Sequence, residues 1–169
     1  TKFFKEKQKI GQFATTLINP NDTLILDSGT TIAEMSKFIP EHMNLNITCY
    51  NYYTLTQLFQ KEGVQITLAG GLLHKADQMF ESSYGNEMIR DRRASKFFLA
   101  ASGIHEALGI TCAHNYEVLT KKAAMSSSLT TILLADSSKF GLIRSAFVAP
   151  LSAIDAVITD DGISEEWQD

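Results

Sequence analysis

Two short stretches concentrate the polar chemistry of this chain. In Leu133-Leu134-Ala135-Asp136-Ser137-Ser138-Lys139-Phe140-Gly141 an apolar run ends in a carboxylate, two hydroxyls and an ammonium. Lys139 can hold a phosphate as a point charge, and Asp136 can orient it or accept from a sugar hydroxyl. A surface Asp–Lys turn without a ligand would use the same residues. In Asp27-Ser28-Gly29-Thr30-Thr31 the glycine permits a tight turn, and Thr30 or Thr31 can cap a following helix. Free N–H groups and hydroxyls there form an anion cradle, and Asp27 is an acceptor suited to sugar hydroxyls. The plain alternative is a capped strand-to-helix turn.

Weaker candidates follow other apolar runs. Asn51, after Cys49-Tyr50, is either an amide contact or a turn former. Gly70-Gly71 lets a ligand approach the backbone or relieves a tight turn, and Ser102-Gly103 plays the same part more weakly. Glu117 and Lys121 stand four apart on one helical face, so they reach a cleft together or form an exposed pair. The four histidines, 42, 74, 105 and 114, show neither HxxxH nor HxH spacing, so no metal site is expected. Cys49 and Cys112 form no CxxC pattern and sit in apolar contexts, as buried free thiols do. No G-x-S-x-G, G-x-G-x-x-G or G-x-x-x-x-G-K-[ST] occurs, and no cofactor is called for.

These residues need elements to position them. Helical spacing of Ile10, Phe13, Ala14 and Leu17 predicts a helix from about Phe4 to Ile18, stopped by Asn19-Pro20-Asn21-Asp22. Strands are predicted at 23–27, 46–50, 65–69, 96–101, 130–135, 146–148 and 156–159. Helices are predicted at 30–38, 53–60, 82–92 and 116–127, with Ile32, Met35 and Ile39 turned inward in the first. Continuous apolar strands joined by helices imply an α/β fold with a mainly parallel sheet covered on both faces. In such sheets ligands bind beyond the carboxyl ends of the strands, where the candidates above lie.

The chain has 169 residues, 44% hydrophobic and 20% charged, which suits one domain with an ordinary core. No apolar run approaches the roughly 18 residues of a membrane span, and the charged start has no secretory stretch. A net charge of −4 argues against this chain holding DNA by itself. The one basic run, Arg90-Asp91-Arg92-Arg93, is broken by an acid and reads as a solvated helix end.

Taken in order, these stretches resemble the C-terminal sensor domain of DeoR-family repressors. The resemblance rests on Asp27 through Thr31, Cys49-Tyr50-Asn51, Leu68 through Gly71, Ala101 through His105 and Gly109-Ile110-Thr111. It continues in Glu117 through Ala123, Ala135 through Gly141 and Asp155 through Asp160, and so covers nearly the whole chain. It implies a fold similar to ribose-5-phosphate isomerase and CoA-transferase domains. It also implies one effector-sensing domain over 1–169, whose first 20 residues form a linker helix from a winged helix-turn-helix absent here. A start at Thr1, without Met, fits that expectation. The expected partners are a phosphorylated sugar, a second copy in a dimer or tetramer, and operator DNA through the absent portion only. The expected location is the cytoplasm. The competing reading is a sugar-phosphate isomerase, which needs a carboxylate to move a proton between carbons. In the similar isomerases a glutamate stands where this chain has Lys121, leaving Glu117 one turn earlier as the substitute. A CoA-handling enzyme would need a catalytic glutamate loop that the sequence does not offer.

Overall fold

Leu24, Ile25 and Leu26 are wholly buried although they follow one another on one strand. Successive strand residues face opposite ways, so this strand must be covered on both sides. The computed structural model, which describes residues 3–163 and 167, supplies that cover. Helix α1 (Phe4–Thr15) leads into strand β1 (Thr23–Leu26), α2 (Thr30–Ser36), β2 (Leu45–Cys49), α3 (Tyr52–Phe59) and β3 (Val64–Leu68). A hairpin of β4 (Leu72–His74) and β5 (Met79–Glu81) precedes α4 (Ser83–Asp91) and β6 (Ala94–Ala100). Then come β7 (Gly103–His105), β8 (Gly109–Cys112), a 3-10 turn at Asn115–Glu117, α5 (Val118–Ser127) and β9 (Ser128–Leu134). A second 3-10 turn, Ser137–Lys139, leads to β10 (Ala146–Ala149), and β11 (Ala156–Ile158) closes the order.

Six strands form one sheet in the order β11-β9-β6-β1-β2-β3, and every adjacent pair is parallel. The fold is therefore the expected α/β type. Leu24, Leu26, Phe98, Ile132 and Leu134 pack with Ile10, Ala14, Ile32, Met35 and Leu58 from α1, α2 and α3. The alternate residues Ile25, Phe97, Leu99 and Leu133 pack with Ile89, Ala123 and Ala124 from α4 and α5. Chain order runs outward from β1 to β2 and β3, then crosses to β6, β9 and β11 on the other side. The order thus reverses between β1 and β6, where open α/β sheets place their ligand crevice.

Predicted element boundaries hold to within about three residues, and Ile32, Met35 and Ile39 face inward as expected. Three details differ. Phe13 is 57% exposed, because the inward stripe of α1 runs through Ile10, Gly11 and Ala14 and leaves Phe13 on its flank. The strands β4, β5, β7 and β8, which pair as antiparallel hairpins outside the main sheet, are absent from the sequence reading. The predicted strand at 146–148 is β10, which pairs antiparallel with β8 in a separate three-stranded sheet with β7.

Candidate functional site

Beyond the ends of β1 and β6 lies a cavity of about 220 Å³. Ser28, Gly29, Thr30 and Thr31 line it after β1, and Ala101 and Ser102 line it after β6. Leu134, Ala135 and Lys139 enter from the β9 side, Ala113, His114, Glu117 and Lys121 from the approach to α5, and Asp77 from the β4–β5 hairpin.

Beneath it lies a buried ionic network. Asp27 is 1% exposed and Lys121 is 1% exposed. The Lys121 ammonium donates to Asp27 Oδ2 at 2.5 Å and to the Ala100 carbonyl at 2.9 Å. Asp27 Oδ2 also accepts from the Ala100 N–H (3.0 Å), and Oδ1 accepts from the buried Tyr50 hydroxyl (2.7 Å). Glu117 Oε1 lies 3.6 Å from the same ammonium. Burial by itself would lower the Lys121 pKa, but the charges of Asp27 and Glu117 more than reverse that, and the net direction is up. Burial likewise lifts the Glu117 carboxyl above its usual range, against the pull of Lys121. Tyr50 is raised well above its usual range, first by burial and then by Asp27.

The structure separates the predicted site residues into two groups. Ser28, Gly29, Thr30, Thr31, Glu117, Lys121 and Lys139 line one cavity although they come from three separate segments. Asp27, Asn51, Gly70, Gly71, Gly103 and Asp136 do not. Asp27 lies below the cavity floor with both oxygens engaged, so it positions Lys121 and is no free acceptor for a sugar hydroxyl. Lys121 correspondingly is held between two carboxylates. Asn51 caps α3 through the Thr54 N–H, and its amide donates to Ser28 Oγ (3.0 Å) and the Asp77 carbonyl (3.2 Å). It thereby ties the β1 turn to the hairpin. Gly71 has φ +142°, and a Cβ there would meet the Glu81 carbonyl at 2.4 Å; the Gly70 carbonyl accepts from Ser82 Oγ, the cap of α4. The pair seats the hairpin and α4. A Cβ on Gly103 would lie 2.6 Å from the Leu142 carbonyl, so that glycine serves packing. Asp136 Oδ1 accepts from the Ser138 N–H (3.0 Å) and hydroxyl and caps the 3-10 turn.

Two polar lining residues escaped the sequence reading of the site: Asp77 and His114. Asp77 stands in a hairpin loop without a motif around it. His114 and Glu117 are three apart, a spacing that a search for HxxxH and HxH passes over. Asp77, His114 and Glu117 bring their ligand atoms within 4.8 Å of one another. Tyr116 donates to Asp77 Oδ2 at 2.5 Å and stacks between His74 (3.6 Å) and His114 (5.0 Å). Both cysteines are free and buried, as expected; burial raises Cys49 to about 12 and Cys112 to about 11.

A larger cavity of about 720 Å³ opens beside β11, lined by Ile104, Phe140, Leu151 and Ile154 with Asp155, Asp160 and Asp161. Among its described residues are three carboxylates and no Lys, Arg or His, so it repels an anion. The smaller cavity, at the reversal of strand order and with two lysines on its wall, is the candidate site.

The chain is thus an α/β domain with a polar, cation-bearing cavity at the switch point of a parallel sheet. Residues 2–161 match the family described as DeoR C terminal sensor domain, and the chain belongs to that family. It is 29% identical over 167 residues to the deoxyribose operon repressor of Escherichia coli K12, covering 99% of this chain and 66% of that protein. It is 30% identical over 168 residues to the lactose phosphotransferase system repressor of Staphylococcus epidermidis RP62A, covering 98% and 66%. The chain thus spans just under two thirds of the length of these relatives. The fold is shared with ribose 5-phosphate isomerase A from Methanocaldococcus jannaschii, with a TM-score of 0.61 at 12% identity over 82% of this chain and 55% of that one. No helix among the described residues is long and apolar enough to cross a membrane.

Proposed function

We propose that this chain is the effector-binding domain of a DeoR-type transcriptional regulator of sugar metabolism, and that its effector is a small phosphorylated sugar. The observation that carries this is Lys139. It lines the cavity, and among the described residues its ammonium has no carboxylate partner and no hydrogen-bond acceptor. Lys121, by contrast, is held by Asp27 and Glu117. A phosphate carries about two negative charges and needs both donors and a cation when taken from water. The Thr30 and Thr31 N–H groups on the same wall have no acceptor among the described residues, and the Thr30 and Ser102 hydroxyls stand with them. Glu117, His114 and Asp77 complete the polar lining. The two relatives regulate a deoxyribose operon and a lactose phosphotransferase system by name, which accords with a sugar-derived effector. Operator DNA, on this reading, is met by a winged helix-turn-helix that lies outside this chain, and effector binding weakens that contact.

A thermal-shift screen against sugar phosphates, followed by calorimetric titration, tests the reading. A ligand at 100 times its Kd adds about 2.7 kcal/mol of stability. Lys139→Ala is expected to weaken binding of the selected compound by roughly 2–4 kcal/mol, with little change in unliganded stability because a partly exposed lysine adds little to folding. Normal binding by Lys139→Ala places the phosphate elsewhere. The isomerase alternative is favoured by Glu117 alone, a carboxylate on the cavity wall whose raised pKa suits a general base. Turnover of ribose 5-phosphate at enzyme-like concentrations would make that reading the better one.

A further inference from the structure

We infer that Asp77, His114 and Glu117 form a binding site for a divalent transition-metal ion of the zinc or manganese type. Their ligand atoms lie within 4.8 Å of one another, a span that one ion can bridge. Each retains unused donor capacity. Asp77 Oδ2 accepts from Tyr116, whereas Oδ1 is shielded from solvent and has no hydrogen-bond partner among the described residues. A buried carboxylate oxygen left without a donor is costly, and a cation removes that cost. The His114 ring is exposed and stacks on Tyr116. Glu117 accepts from the His114 N–H at a long 3.3 Å and faces Lys121 at 3.6 Å, a charge that sits closer to Asp27.

Charge and support point the same way. Lys121 and Asp27 neutralise each other at 2.5 Å, which leaves Asp77 and Glu117 as two carboxylates facing the cavity. A divalent ion balances them. Tyr116 touches two of the three ligands at once, by its hydroxyl on Asp77 and its ring on His114, as a supporting residue around a metal does. One imidazole and two carboxylates, with no thiolate, suit zinc or manganese better than calcium or copper(I). Three protein ligands leave coordination positions open to water or to an anion in the cavity. That the ion would give the effector's phosphate a second positive partner beside Lys139 rests on the reading above; the ion site itself does not.

The test is calorimetric titration of the untagged chain with ZnCl2 at neutral pH, with no sugar phosphate present, so the outcome is independent of the effector. One ion per chain is expected. His114→Ala, at an exposed position, and Asp77→Asn, which keeps an acceptor for Tyr116, should each weaken binding about tenfold or more. His42→Asn, an exposed histidine far from the cavity in sequence, should leave it unchanged. Thermal melts in EDTA show whether each variant is folded. Absence of saturable binding, or binding that His114→Ala or Asp77→Asn leaves unaltered, overturns the inference.

Discussion

A carboxylate and an ammonium, each 1% exposed, can stay charged inside a protein only if they answer one another. Asp27 and Lys121 do so, with Tyr50, Ala100 and Glu117 around them. Removing one partner strands the other, so Asp27→Asn is expected to cost about 3–5 kcal/mol in urea unfolding. Lys121→Met, which removes the cation and keeps most of its volume, should cost a similar amount. The double variant should recover much of that loss, because neither charge is left behind. Additive losses would mean that the pair is not coupled. Glu117 obeys a different balance. Its folded-state pKa is raised, so it binds a proton more readily folded than unfolded. That favours folding at pH below its ordinary value of 4.5 and is lost as pH rises through the folded value. Glu117→Gln should therefore stabilise the unliganded chain at pH 7, and the gain should shrink in melts taken below pH 4.5. A loss of stability at pH 7 would show that its attraction to Lys121 outweighs its burial.

At the scale of elements, α1 and α2 touch through backbone. A Cβ on Gly11 would lie 2.6 Å from the Met35 N and 2.8 Å from its Cα, both in α2. α2 in turn begins with Thr30 and Thr31, which line the cavity. Gly→Ala inside a helix ordinarily adds up to about 1 kcal/mol. Here the helices must separate, so Gly11→Ala is expected to destabilise by roughly 1–3 kcal/mol, the range for overpacking. A chemical-denaturation midpoint that rises instead would show that the helices have room. The β4–β5 hairpin is the other element that matters to the site. Phe80 N–H donates to the Tyr50 carbonyl and Tyr52 N–H to the Gln78 carbonyl, which fastens the hairpin beyond β2 and brings Asp77 to the cavity.

For the whole molecule, the exposed apolar residues call for a partner surface. Leu129 is 85% exposed and Phe59 81% exposed, and β3 forms an open sheet edge. On the proposed reading as the sensor of a DeoR-type regulator, binding to paired half-sites needs a matching twofold symmetry. The chain is accordingly expected to form a dimer or tetramer, and light scattering that reports a monomer at tens of micromolar would contradict this.

Local patterns determined the α/β class, the order of the helices and of the six strands of the main sheet, and the chemistry offered at the strand ends. Apolar runs of four to seven residues and helical spacing are properties of neighbours along the chain. So are the Asp27–Thr31 turn, the Asp136–Lys139 turn and the Glu117–Lys121 pair, and the family resemblance rests on the same stretches. Which of these residues meet was decided by strand order. Placing β6 beside β1, with 67 residues between the end of one and the start of the other, brings Ala100 onto Asp27 and sets the cavity there. Strand order reflects how whole faces pack, and no short window of sequence contains it. For the same reason Asp27 read as an open acceptor: its type and position suit a ligand, and only the arrival of Lys121 and Tyr50 from distant elements shows both oxygens taken. Asp77, His114 and Glu117 were illegible as a group because a hairpin of two three-residue strands carries Asp77 across to the 3-10 turn before α5, a contact between segments distant in sequence.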